Sequence, residues 1–230
     1  MTENYAFKIC MGGDKGTGKT TLLNRYINSI YNPEISSTIG MEFYRKKVPP
    51  FELQIWDFGG HKKFREMVKS YTEGMVNFVL VVDSTNEKSL KNIEPWISVL
   101  RTHGLEDMGI IALSKCDLTK ETEIEPNRLK QTGEVHDLTV IKYSAKTGAG
   151  VEDVFNAMIN QIIVRNHIDI PFLTINKDNI VYQNSTSRRI KKLREESIRK
   201  KKIELREISA GPKKQKKKKY KEDFLVPLTE

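Results

Sequence analysis

Apolar residues alternate with other types at Phe7, Ile9 and Met11, which predicts a strand near the start of the chain. A glycine-rich stretch follows, after which Leu22, Leu23, Tyr26, Ile27 and Ile30 fall at helical spacing. Residues 32–40 break the pattern as a polar loop with Pro33, three consecutive hydroxyl residues (Ser36, Ser37 and Thr38) and Gly40. Two strands are expected over 41–48 and 51–57, the second from the alternation of Phe51, Leu53 and Ile55. Pro49 and Pro50 between them favour a tight connection and antiparallel pairing at a sheet edge. Residues 76–82 form an apolar run interrupted only by Asn77, as suits a central strand covered on both faces. Helix is then expected over 86–101, a short buried strand over 109–113, helix over 125–133 and strand over 138–143. A last helix over 151–165 carries an apolar stripe of Val154, Phe155, Met158, Ile159, Ile162 and Ile163. The chain shows no internal repeat.

Strands separated by helices predict an α/β fold with a doubly wound, mostly parallel sheet and ligands at the carboxyl ends of the strands. The rest of the chain reads differently. Residues 166–184 suggest a hairpin or a strap over the domain, around Asn176-Lys177-Asp178-Asn179. Residues 185–208 favour helix, with sparse apolar positions at Ile190, Leu193, Ile198, Leu205 and Ile208. Ala210-Gly211-Pro212 stops that helix, and residues 209–230, with seven lysines between 213 and 221, are expected to be disordered.

Composition sharpens this division. The 230 residues are 38% hydrophobic, enough for one ample domain plus an extension, and no apolar run reaches the roughly eighteen residues that cross a membrane. The first residues carry no signal-peptide pattern. Cys10 and Cys116 make neither a disulfide framework nor a metal cluster, which fits a reducing compartment. The net charge of +9 is not evenly spread. Residues 1–165 hold 21 basic and 21 acidic residues, whereas 166–230 hold 18 and 9. A neutral domain over 1–165 followed by a basic extension over 166–230 is the expected organisation.

The glycine-rich stretch from Gly13 to Thr20 is a G-x-x-x-x-G-K-[ST] phosphate loop between a strand and a helix. Gly13 and Gly18 free backbone N–H groups to wrap phosphates, Lys19 reaches the β- and γ-phosphates, and the Thr20 hydroxyl takes a position on Mg²⁺. Three shorter patterns follow later strands. Asp57-Phe58-Gly59-Gly60 offers a carboxylate for the Mg²⁺ shell and the Gly60 N–H for a γ-phosphate. Ser114-Lys115-Cys116-Asp117 supplies a carboxylate able to accept from guanine N1–H and N2–H₂, and Ser144-Ala145-Lys146 a backbone N–H for guanine O6. Each of the three alone is compatible with a solvated loop. Their order after successive strands is what carries meaning.

Together these residues resemble the Ras-like small GTPase superfamily, with Rab-like character in Ser37-Thr38-Ile39-Gly40, over about residues 5–165. The resemblance implies a three-layer α/β/α phosphate-loop GTPase fold, a mostly parallel six-stranded sheet with one antiparallel edge strand, and five helices. It implies GTP or GDP and Mg²⁺ as ligands and a GTP/GDP switch that hydrolyses GTP. The nucleotide would be held by Asp14, Lys15, Gly16, Thr17, Gly18, Lys19, Thr20, Thr21, Tyr31 (stacked on the base), Thr38, Gly60, Ser114, Lys115, Asp117, Ser144, Ala145 and Lys146. Thr20, Thr38 and Asp57 would serve the metal, and His61, Lys19 and Gly60 the reaction. Segments 32–40 and 58–74 would be the switches through which effector, exchange and activating proteins act on a monomer.

Three departures bear on mechanism. His61 stands where most relatives have a water-positioning Gln, as also in translation-factor GTPases, and only a neutral imidazole can accept a hydrogen bond from the attacking water. If the ring packs aside instead, intrinsic hydrolysis is very slow. Lys15 occupies a position that is often Gly, and it either supplies charge at the γ-phosphate, obstructs an arginine finger, or faces solvent. Ser114 replaces the usual Asn or Thr, so one contact to the base or the phosphate loop is expected to be lost. The final residues hold no cysteine and residue two is not Gly, so no lipid anchor is expected. The basic tail then reads as a reversible contact for an anionic membrane or RNA, as an import signal, or as a solubilising tail in a cytoplasmic protein. A GTP-loaded scaffold and a ribosome- or RNA-associated GTPase share the same binding residues. A kinase or ATPase is disfavoured by Asp117.

Overall fold

Phe7, Ile9 and Met11 of β1 (Tyr5–Gly12) pack into one apolar core and Cys10 into a second, so the strand is sandwiched between two layers. The computed structural model describes residues 5–190, apart from 103, 106, 107 and 169, together with 192, 193, 195 and 199. In chain order the elements after β1 are α1 (Lys19–Asn28), β2 (Met41–Val48), β3 (Phe51–Phe58), α2 (Lys62–Val68), β4 (Met75–Asp83) and α3 (Glu87–Lys91). They continue as α4 (Glu94–Arg101), β5 (Ile110–Ser114), α5 (Pro126–Val135), β6 (Thr139–Lys142), α6 (Val151–Arg165) and β7 (Ile180–Tyr182). The sheet runs β2-β3-β1-β4-β5-β6-β7, with β2 and β7 antiparallel to their neighbours and the rest parallel. Helices α1 and α6 cover one face, and α3, α4 and α5 line the other. This is the expected three-layer α/β arrangement.

Asn77, the polar break in the β4 run, is fully buried and matched to its place. Its amide donates to Gln161 Oε1 at 3.1 Å, and its own carbonyl oxygen accepts from the Phe78 N–H at 2.7 Å. The helix expected over 86–101 is two helices, because Pro95 has no N–H to give the Lys91 carbonyl and its ring would crowd that oxygen. The chain turns at Asn92 and Ile93 and restarts as α4.

The sheet has seven strands, one more than the resemblance implied, because the segment after α6 returns as a strap. Its residues Ile168, Ile170, Phe172, Leu173 and Ile175 pack against the α6 side of the core. Asp153, Asn156 and Asn160, on one side of α6, read its backbone. Asn160 donates to Leu173 O at 2.8 Å and accepts from Leu173 N–H at 2.7 Å, Asn156 donates to Thr174 O, and Asp153 accepts from Asn176 N–H. β7 then pairs with β6, and residues 185–190 are helical. Buried Asn184 joins Thr139 and Ser187 in a hydrogen-bonded group that ties this end to β6. The compact unit runs through Lys191, so the boundary expected at 165 falls inside it. In the second unit, Lys192–Glu230, only residues 192, 193, 195 and 199 are described, all helical. The rest of the helix expected to 208 and the disorder expected over 209–230 lie outside the described residues.

Candidate functional site

The carboxyl ends of β1, β3, β5 and β6 open on one cavity of about 560 Å³. Its walls are the phosphate loop, Tyr31, the loop carrying Thr38, the Gly60–His61 segment and the loops with Ser114–Leu118 and Ala145–Lys146. Gly13 has φ 126°, and a Cβ there would sit 2.4 Å from the Val81 carbonyl oxygen, so only glycine fits. The loop closes on itself through Lys19, whose Nζ donates to Gly13 O at 2.9 Å and to Asp14 O at 2.7 Å. Burial pushes the Lys19 ammonium below its ordinary value, while Asp57 and Asp14 pull it back up. Such a confined cation, with its protons on weak carbonyl acceptors, is poised to exchange them for phosphate oxygens.

Thr20, Thr38 and Asp57 come from three separate elements and meet at one point. The Thr20 hydroxyl donates to Asp57 Oδ2 at 2.6 Å and lies 2.8 Å from the Thr38 hydroxyl. Asp57 Oδ1 is buried with no hydrogen-bond partner, an expensive state for a carboxylate oxygen. Burial raises the Asp57 carboxyl to about 6, against the Thr20 hydrogen bond and the Lys19 charge. The donor set is all oxygen with one carboxylate. It fits Mg²⁺, which prefers a few hard ligands and keeps some of its waters. Among the described residues no group of three or more His, Cys, Asp and Glu side chains forms an alternative cage.

At the base end, Asp117 Oδ1 accepts from the Ser144 hydroxyl at 2.6 Å, which links the two loops expected to read guanine. Ala145 and Lys146 line the cavity beside them. The Ser114 hydroxyl donates to Thr17 O at 2.7 Å, so the tie to the phosphate loop survives the replacement of Asn. Thr17 is itself buried, its hydroxyl donating to Asp14 O at 3.0 Å. The Asp14 side chain points out of the cavity, with Oδ2 accepting from Asn92 at 2.6 Å. Lys15, Gly16, Gly18 and Thr21 line the phosphate end.

His61 lines the cavity as the N-cap of α2, with Nδ1 accepting from the Lys63 N–H at a long 3.5 Å. In the neutral ring this leaves the proton on Nε2, so Nε2 donates and does not accept. Gly60 is packed against the phosphate loop, where a Cβ would fall 2.1 Å from Lys15 N and 2.2 Å from Asp14 C. Asp83 and Tyr143, at or beside the site, were in no motif. Asp83, nearly buried at the end of β4, holds the Lys115 ammonium at 2.5 Å, and Tyr143 is buried where β6 ends. An acidic residue at the end of an apolar strand was the only sequence signal for Asp83, and its place beside Ser114 comes from the pairing of β4 with β5.

A profile of the Ras family matches residues 8–164. Among individual proteins, Ras-related protein Rab-8B of Homo sapiens is 33% identical over 169 residues, which cover 71% of this chain and 82% of the relative. Ras-related protein Rab-8 of Diplobatis ommata is 32% identical over 169 residues, 71% of this chain and 80% of its own. Ras-related protein Rab-10 of the same species is 31% identical over 175 residues, 74% and 88%. The match spans the sheet from β1 to β6 and every cavity loop described above, and ends within α6. With a phosphate loop, an all-oxygen cluster of Thr20, Thr38 and Asp57 and a link between Asp117 and Ser144 around one cavity, the chain belongs to the Ras family, and it is a small GTPase that acts as a GTP-hydrolysing switch.

Proposed function

We propose that the cavity residues divide the work of this switch as follows. Lys19 and the amides of residues 14–20 carry the β- and γ-phosphates, Asp117, Ser144 and Ala145 read guanine, and Ser114 braces the phosphate loop behind them. Thr20, Thr38 and Asp57 hold Mg²⁺, which when bound neutralises charge on the β- and γ-phosphate oxygens. Thr38 contributes only while a γ-phosphate is present, so segment 32–40 is ordered by GTP and released after hydrolysis, and 58–74 follows through Gly60. The observation that supports this most is the meeting of Thr20, Thr38 and Asp57 beside an unpartnered carboxylate oxygen.

In hydrolysis, water attacks the γ-phosphorus as the bond to the β-phosphate oxygen breaks in line with it, and the water's proton passes to the phosphate released. Lys19 and the Gly60 N–H hold the equatorial oxygens as charge develops. His61 orients the water by donating from Nε2 to its oxygen, while Nδ1 caps α2. Lys15, exposed at the cavity wall, adds a second cation near the γ-phosphate. Segments 32–40 and 58–74 present the nucleotide state to effector, exchange and activating proteins. The lysine-rich run at 213–221 offers reversible contact with an anionic membrane or RNA, with the protein otherwise cytoplasmic.

Nucleotide competition on Lys19→Ala, Thr20→Asn and Asp117→Asn tests this division. Lys19→Ala should lose GTP binding, Thr20→Asn should lose the dependence on Mg²⁺, and Asp117→Asn should shift preference from guanine to xanthine nucleotides. Parental binding in all three would overturn the assignment.

A further inference from the structure

Arg65 lies one turn after His61 on α2, and its side chain keeps only 12% of its exposure. The guanidinium carbon stands 5.3 Å from the centre of the Trp96 ring on α4, within cation–π reach. Its Nη2 is 4.0 Å from Asp14 Oδ1, and its Nε is buried without a hydrogen-bond partner. A charge this far out of water needs a counter-charge, and Asp14 is the facing carboxylate. Glu66, the neighbouring acid on α2, is exposed and engaged by Lys69.

Asp14 is fixed from the other side. Asn92, freed by the break between α3 and α4, donates to Asp14 Oδ2 at 2.6 Å and leaves Oδ1 toward Arg65. The Asp14 backbone meanwhile carries the phosphate-binding lysine, since its carbonyl accepts from Lys19 Nζ at 2.7 Å. Trp96 packs under the end of β1 that leads into this loop, where a Cβ on Gly12 would be 2.8 Å from the ring. One residue of the phosphate loop therefore faces the nucleotide lysine with its backbone and the switch helix with its side chain. Val68 is the one fully buried residue of helix α2, so Arg65 is a main anchor between the helix and the phosphate loop.

We propose that Arg65, set between the Trp96 ring and the Asp14 carboxylate, is the positioning residue that holds α2, and with it His61, against the phosphate loop, with Asn92 fixing the carboxylate that receives it. Arg65 reaches no reacting atom and acts through His61, so the inference rests on the water-orienting reading of that histidine. The planar guanidinium matters twice, for stacking on the indole and for facing a carboxylate edge, so lysine should replace it only in part.

The test uses the full chain with Arg65→Gln, Arg65→Lys, Asp14→Asn, the Arg65→Gln/Asp14→Asn double variant and His61→Ala. Single-turnover GTP hydrolysis, GTP affinity and amide hydrogen exchange of residues 61–68 are measured on each. Arg65→Gln and Asp14→Asn should each slow hydrolysis by about tenfold with GTP affinity little changed, since a small misplacement costs rate before binding. The double variant should be no slower than the slower single, Arg65→Lys should recover part of the rate, and exchange over 61–68 should quicken. Multiplying effects in the double variant, or parental hydrolysis and exchange in Arg65→Gln, would overturn the proposal. Should Arg65→Gln fail to fold, Asp14→Asn decides by the same two readouts. If His61→Ala hydrolyses at the parental rate, the reading of His61 is what fails. Exchange over 61–68 then judges Arg65 alone, faster supporting it and unchanged refuting it.

Discussion

In the proposed metal role Asp57 meets two opposing demands, burial for a precise site and ionisation for holding the cation. Burial raises its carboxyl from 3.8 to about 6, so between those values the folded protein holds a proton that the unfolded chain has released. Stability from this group is therefore full below about pH 4 and is lost as pH rises through about 6 in metal-free protein. A cation at Thr20, Thr38 and Asp57 must displace that proton. Stabilisation by Mg²⁺, read from thermal melts of the GDP complex, should be clearly weaker at pH 5 than at pH 7.5. Asp57→Asn should flatten the difference, and an equal pH dependence in that variant would remove Asp57 as its source. Gly60 makes a second prediction at this scale. Its absent Cβ would meet backbone atoms at 2.1 and 2.2 Å, which cannot step aside as a side-chain tip can. Gly60→Ala should slow single-turnover hydrolysis by about tenfold or more while GDP affinity stays within about twofold, because the clash lies between switch and phosphate loop. A parental rate would mean that segment 58–74 need not close on the loop.

The strap is the element that most changes what the chain can lose. A protein ending at Arg165 would bare the core that Ile168, Ile170, Phe172, Leu173 and Ile175 cover, and would leave Asp153, Asn156 and Asn160 without partners. At roughly 1 kcal/mol for each partly buried apolar side chain, the loss is several kcal/mol. A protein ending at Lys191 keeps all of it. Melting temperature should fall by at least about 5 °C for the shorter form and stay near the parent for the longer. Equal melting of the two would make the strap an ornament. The main strands and helices were legible because alternation and helical spacing are local signals. The strap was one of two readings of 166–184, the other a hairpin, and nothing in its sequence said which face it would cover. Its partners on α6 look like a solvent face, and the carbonyls they read lie 13 or more residues onward, beyond any periodicity. The helix break had a local signal in Pro95, masked because the apolar spacing runs across it. At the candidate site, Lys19, Thr20, Asp57 and Asp117 were expected from motif chemistry, and the fold brings each into contact with a partner loop or strand end. Arg65 and Asn92 could not be expected, since the contact between them and Asp14 exists only once α2, α4 and the phosphate loop are assembled.

For the molecule as a whole, charge is divided as sharply as structure. The 21 basic and 21 acidic residues of 1–165 cancel, so the net +9 resides in 166–230, concentrated in the seven lysines of 213–221. Each lysine near an acidic bilayer contributes about 1 kcal/mol at most, enough together for reversible adhesion. The full chain should bind acidic vesicles or RNA at low salt and release them near physiological salt, and a chain ending at Lys191 should bind neither. If the full chain also ignores both at low salt, the tail is a solubilising or import segment. The sheet's two margins have a separate consequence, for storage and concentration. Unpaired strand margins invite identical molecules to add on, and a long bare one is an aggregation risk. Here one margin is β7, only three residues long, and the other is β2, where the charged Glu42, Arg45 and Lys47 are exposed. Cutting the chain at 165 would bare β6, with its apolar Val140 and Ile141, as a new margin. The shortened protein should therefore precipitate at concentrations the full chain tolerates, for a reason unconnected with its lost charge.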